Sequence, residues 1–178
     1  MRADRQPRAR PPLDRGGLER LALHYAGRYA TTRAKLGAYL FRKVRERGWS
    51  GDEPPPIDAL VERFAALGYV DDEAFATARA AALGRRGYGV RRIDQALKGA
   101  GIEEEDGAAA RAAAAEGAWD AALRFAERKR IGPFAAEAPD RPARQRAFAA
   151  MMRAGHPTDL ARRILDARPG EIPNPDNM

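Results

Sequence analysis

Three glycines close three helical segments at a nearly fixed interval, and that interval limits the fold more than any other feature of the chain. Val44-Arg-Glu-Arg-Gly48-Trp49, Leu97-Lys-Gly-Ala-Gly101-Ile102 and Met151-Met-Arg-Ala-Gly155-His156 each place an apolar residue four positions before a glycine, and the glycines stand 53 and 54 residues apart. Around each lies the same order: helix, turn, helix ending in glycine, helix. A period of this kind marks stacked copies of one supersecondary unit. The expected fold is all-α, an elongated array of three tandem three-helix modules at residues 18–70, 71–117 and 118–168. A disordered basic N-terminal arm (residues 1–17) precedes the array and a disordered tail (residues 169–178) follows it.

Helical periodicity fills in the modules. Leu18, Leu21, Tyr25 and Tyr29 predict one buried stripe. Leu36, Leu40 and Val44 predict a second, opened by Thr31 or Thr32 as N-cap and closed by Gly48. Pro54, Pro55 and Pro56 interrupt the helices. The next helix, Ile57 to Leu67, buries Leu60, Phe64 and Leu67. Asp71 is a suitable N-cap, and Asp72 and Glu73 lie in a first turn where the helix dipole favours negative charge. Glu103 to Glu116 reads as a helix weakened by Gly107 and Gly117. Trp119, Leu123 (or Ala122) and Ala126 mark the next stripe. Asp140 caps a helix with Phe148 and Met151 inside, and Leu160, Ile164 and Leu165 mark the last. No stretch alternates long enough to read as a strand.

The centre of the pattern is Arg85 to Ile102, a two-glycine turn followed by a short amphipathic helix. Val90, Ile93 and Leu97 share one face, whereas Arg91, Gln95 and Lys98 lie opposite with Arg92 beside them. Arg85 and Arg86 stand just before the turn, so five cations face a single acid, Asp94. A solvated face accounts for such a stripe, and so does a surface that meets a polyanion. Tyr88, between Gly87 and Gly89, is read either as a ring packed on its own module or as one that stacks on a base. A second cluster, Arg124, Arg128, Lys129 and Arg130, is joined by Arg141, Arg144 and Arg146. Whether these lie on the same side as Arg91 and Arg92 is not readable from their spacing.

Charge and composition narrow the function. Lys and Arg number 32 against 25 Asp and Glu, a net charge of +7, which favours nucleic acid or an acidic protein surface as partner. The absence of cysteine excludes disulfides, thiolate metal sites and cysteine nucleophiles. His24 and His156 lie in different modules without a ligand set for a metal. No nucleophile–base or paired-carboxylate pattern stands out, and the glycine pairs lack the lysine and preceding strand of a phosphate loop. The expectation is a non-enzymatic, cytoplasmic, monomeric protein with no cofactor, metal or membrane span.

The run Leu67-Gly-Tyr-Val-Asp-Asp-Glu-Ala-Phe75-Ala, followed by Arg86-Gly-Tyr-Gly-Val-Arg-Arg-Ile-Asp-Gln-Ala-Leu97, resembles the signature of RecX-type regulators of the RecA recombinase. The threefold helical pattern and Leu160-Ala-Arg-Arg-Ile-Leu165 in the last helix agree with it. The resemblance covers about residues 18 to 167 and is most specific in the middle module. It implies a regulator that binds the groove of the RecA–DNA filament, touching recombinase subunits and single- or double-stranded DNA. Such a regulator lowers ATP hydrolysis, strand exchange and co-protease activity in DNA repair and the SOS response. The contact candidates are Arg85, Arg86, Tyr88, Arg91, Arg92 and Lys98, with Arg128 and Lys129 from the second cluster. Two other readings stay open on charge and repeat alone: a general nucleic-acid-binding helical protein, and a solenoid-type scaffold for protein interaction.

Overall fold

The computed structural model describes residues 11–174. Among these the chain is all-α: nine α-helices and one 3-10 turn, with a lone bridge between Leu13 and Trp49 as the only β-type pairing. The helices divide into two compact units with the boundary between Asp71 and Asp72.

The first unit holds α1 (Arg15–Arg28), α2 (Arg33–Arg47) and α3 (Ile57–Ala66). Two of its helix starts are capped by side chains. The Asp14 carboxylate accepts from the amide of Gly17 at 2.6 Å, and the Thr32 hydroxyl accepts from the amide of Lys35 at 3.1 Å. Each satisfies an amide that has no partner within its helix. Leu18, Leu36, Leu40, Leu60, Val61 and Phe64 form the core, and Tyr25 stacks on Tyr39 with ring centroids 4.2 Å apart.

Three expectations fail in this unit. The arm is ordered earlier than residue 18. The Leu13 amide donates to the Gly48 carbonyl and the Ser50 amide to the Leu13 carbonyl, both at 2.9 Å, and the Leu13 side chain is 1% exposed. One leucine without neighbours has no periodicity to announce it, yet burial of its side chain and two backbone bonds suffice to dock the segment. The first ten residues of the expected arm lie outside the described residues. Tyr29 and Leu67, assigned to buried stripes, are 52% and 63% exposed. Tyr29 falls one residue past the end of α1 and Leu67 one past α3, where the chain leaves the helical path.

The second unit contains α4 (Asp72–Arg85), α5 (Val90–Lys98), α6 (Ala108–Glu116), α7 (Ala118–Lys129), a 3-10 turn (Gly132–Phe134), α8 (Arg141–Arg153) and α9 (Thr158–Asp166). It has two cores. Ala76, Ala80, Leu83, Ile93, Leu97, Ile102 and Ala110 make one, and Ala122, Phe125, Ala126, Met151, Ala161, Ile164 and Leu165 the other. Tyr88 packs against both. The residue ranges expected for a second and a third module therefore keep separate cores but belong to one compact unit.

Details again differ from periodicity. The helix expected from Glu103 begins only at Ala108, so Gly107 and Gly117 bound α6 rather than interrupt it. Trp119 and Leu123 are half-buried, and the inward face of α7 is Ala121, Ala122, Phe125 and Ala126. The Trp119 ring instead receives the Arg163 guanidinium at 4.9 Å. Asp140 caps α8 as expected, accepting from the amide of Ala143 at 2.7 Å. The expected tail starts tethered, since the Gly170 amide donates to the Pro133 carbonyl at 2.8 Å. Its last four residues lie outside the described residues.

The three repeat glycines do what their spacing demands. Gly48, Gly101 and Gly155 have φ of 82°, 73° and 88°, the left-handed region that side chains with a Cβ avoid.

Candidate partner and nucleic-acid interface

The middle stretch is first of all a joint. α5 opens without a side-chain cap, so its first amides need other acceptors. They find them at the end of α8. The Gly89 amide donates to the Ala154 carbonyl at 2.9 Å and the Arg91 amide to the Gly155 carbonyl at 3.1 Å. The C-terminal carbonyls of one helix thereby satisfy the N-terminal amides of another, and the negative end of one dipole meets the positive end of the other. Only backbones without side chains come this close. A Cβ on Gly89 would lie 2.4 Å from the carbonyl carbon of Gly155, and a Cβ on Gly155 would lie 2.3 Å from the amide nitrogen of Arg92. The N-terminus of α5 is filled by protein and is not an anion-binding site.

His156 locks the same joint. It is fully buried, and its Nε2 lies 3.2 Å from the Gly87 carbonyl. A carbonyl only accepts, so Nε2 carries the proton and donates. Nδ1 is buried with no hydrogen-bond partner among the described residues, which suits a neutral ring. Burial pushes its pKa down to about 4, and the nearby Arg128 charge adds to that, against the opposing effect of the Gly87 hydrogen bond. The ring also lies 5.3 Å from that of Phe125. This histidine ties the turn before α5 to α7 and the end of α8.

The eight candidate contact residues separate into two groups around this joint. Arg128 and Lys98 are engaged within the protein. The Arg128 guanidinium donates to the Arg86 carbonyl and lies 5.4 Å from the Phe125 ring centroid. The Lys98 ammonium is 2.8 Å from Asp94, whose other oxygen takes the Arg111 guanidinium at 2.9 Å. Hydrogen bonds from Lys98 and then Arg111 hold the Asp94 carboxyl below the ordinary carboxylate range. Tyr88 is half-buried against both cores, with the Arg86 guanidinium 5.6 Å from its ring centroid, and so takes the packing role. Arg85, Arg86, Arg91, Arg92 and Lys129 are exposed, and among the described residues none of them forms an ion pair. The candidate cations outside ion pairs therefore lie at the end of α4, on the first turn of α5 and at the end of α7.

Several functional groups escaped the sequence. Arg111 neutralises Asp94 from a different helix, and no local pattern connects the two. His156 stood in the sequence as a lone histidine, and its acceptor on Gly87 is 69 residues away. The row Arg141, Arg144 or Gln145, and Phe148 shares one face of α8, a spacing that was legible. The matching row Arg162, Leu165 and Asp166 on α9 was not paired with it.

The fold and its joint define an all-α helical protein with a rim of exposed arginines, and known proteins make the class specific. A family model described as "RecX, second three-helix domain" matches residues 71–110. The chain is 35% identical over 160 residues to the "Regulatory protein RecX" of Myxococcus xanthus (strain DK1622), covering 85% of this chain and 86% of that one. The crystal structure of RecX from Lactobacillus salivarius superimposes with a TM-score of 0.65 at 16% identity, over 84% of this chain and 92% of the other. That likeness carries the fold. The chain belongs to the RecX family of regulatory proteins.

Proposed function

We propose that the protein binds the RecA–DNA filament and restrains it, lowering ATP hydrolysis, strand exchange and co-protease function. The observation that carries this reading is the arrangement of Arg85, Arg86, Arg91 and Arg92. They flank a backbone joint between α5 and the end of α8, and no ion pair among the described residues consumes them. Arginine forks fit both DNA phosphate and acidic protein patches bidentately. Family membership supplies the expectation of a regulatory partner, and the net charge of +7 suits a polyanionic filament.

The test is to add the protein to active recombinase filaments on single-stranded DNA and follow ATP hydrolysis. A progressive slowing at micromolar protein is expected. Unchanged hydrolysis together with no retention on filaments would overturn the proposal. General nucleic-acid binding, which the net charge also supports, predicts instead a steep salt dependence and equal binding with and without recombinase.

A further inference from the structure

The second unit carries a cleft away from the α5 joint, between the inner rows of α8 and α9. It measures about 480 Å³, within the roughly 300–1,000 Å³ of small-ligand sites. Arg141, Arg144 and Arg162 line it together with Phe148, Leu165 and Asp166. On α8 the contributors recur at positions 141, 144–145 and 148, and on α9 at 162 and 165–166, so each helix offers one continuous face. Asp166 is the only carboxylate on the lining and is already paired with Arg144. Two guanidinium charges therefore go uncompensated by the lining. Arg162 lies 6.0 Å from the Phe148 ring centroid, which brings a cation and an aromatic surface into the same opening. Leu165 is buried and Phe148 half-buried, giving an apolar floor beneath exposed charges.

We propose that this cleft binds single-stranded nucleic acid, with Arg141 and Arg162 taking backbone phosphates and Phe148 taking a base. The pairing of features selects the ligand. A phosphate alone has no use for an aromatic floor, and an apolar side chain alone has no use for two free guanidiniums. A nucleotide unit presents an anion and a flat ring together, and base–aromatic stacking tolerates any sequence. A duplex keeps its bases stacked inside and offers Phe148 none. The site adds a contact to the regulatory reading above but does not depend on recombinase.

The experiment uses the full chain and a fluorescein-labelled oligothymidylate, with anisotropy read across a salt series and no recombinase present. Arg141→Gln with Arg162→Gln is expected to weaken binding about tenfold and to flatten the salt dependence by roughly two phosphate contacts. Phe148→Leu is expected to weaken binding with the salt slope unchanged. Both arginines are exposed, so the double variant should keep the parental melting temperature even if Phe148→Leu loosens the core. With 5-iodouracil in the oligonucleotide, ultraviolet crosslinks should map to the peptides of α8 and α9. Parental affinity in the double variant would overturn the proposal. So would crosslinks confined to other helices, or displacement of the oligonucleotide by an acidic peptide as effectively as by unlabelled oligothymidylate. Slowed or unslowed ATP hydrolysis in the filament assay bears on the regulatory reading separately, because that assay contains recombinase and this one does not.

Discussion

Gly89 and Gly155 meet backbone to backbone, close enough that a Cβ on the first would stand 2.4 Å from the carbonyl carbon of the second. No rotamer relieves that contact, since both sides are main chain. Gly89→Ala should therefore push α5 away from the end of α8 and lengthen the bond from the Gly89 amide to Ala154. A loss of about 1–3 kcal/mol is expected from the overpacking. Gly155→Ala should cost more, because its φ of 88° adds backbone strain to its own clash with Arg92. Urea unfolding followed by circular dichroism measures both. Parental stability in either variant would contradict the joint.

The His156 ring makes the same joint sensitive to acid. Its folded pKa of about 4 lies below the ordinary 6.5, so between these values the unfolded chain binds a proton that the folded chain refuses. The contribution of this group is fully present above about pH 6.5, falls as the pH drops toward 4 and levels off below that. His156→Gln keeps a side-chain amide able to donate to the Gly87 carbonyl but does not titrate. The difference in unfolding free energy between parent and variant should shrink on acidification across that window. A difference independent of pH would sink the assignment.

Charge reversal on the exposed side of α5 separates binding from folding. Arg91→Glu with Arg92→Glu removes two exposed cations without touching Ile93 or Leu97, which are 2% and 0% exposed. Helix content should stay at the parental level while filament retention falls tenfold or more. Ile93→Asp should do the opposite kind of damage, burying an unpaired charge at a cost of about 4 kcal/mol or more. Circular dichroism alongside a filament pull-down distinguishes the two. Normal retention by the double variant would remove the α5 face from the interface.

The first unit can be probed at its cap. Thr32 is completely buried, and its hydroxyl accepts from the Lys35 amide. Thr32→Ala should lower stability by about 1–2 kcal/mol, whereas Thr32→Ser, which keeps the acceptor, should lose much less. Thermal melts of the two variants give the comparison, and equal losses would exclude the cap as the cause.

Much of the local architecture was legible in the chain itself. Gly48, Gly101 and Gly155 were readable as helix ends because an apolar residue four positions earlier and an absent Cβ are both local signals. Asp140 was readable as a cap for the same reason, and Thr32 as one of two candidates beside Thr31. Leu13 was not, because its backbone partners, Gly48 and Ser50, lie beyond α2 and a single apolar residue has no period. Tyr29 and Leu67 misled because periodicity continues on paper past the point where a helix stops.

The candidate site was legible only as a composition of charges. Lys98 and Arg128 looked equivalent to Arg91 and Arg92 in one dimension. Asp94, with Arg111 arriving from α6, and the carbonyl of Arg86, reached from α7, engage the first pair within the protein.

Sequence alone determined the all-α class, the helix-closing glycines and the amphipathic split of α5 between Ile93 and Leu97 on one side and Arg91 and Arg92 on the other. These follow from dihedral preference and hydrophobic period, which act over a turn or two of chain. Tertiary structure decided that Gly87 and Gly89 serve a backbone joint with Gly155 and His156, and that α8 and α9 bring Phe148 and Arg162 to one cleft. Those outcomes depend on which surfaces meet in space, and no signal acting over a turn or two of chain encodes that.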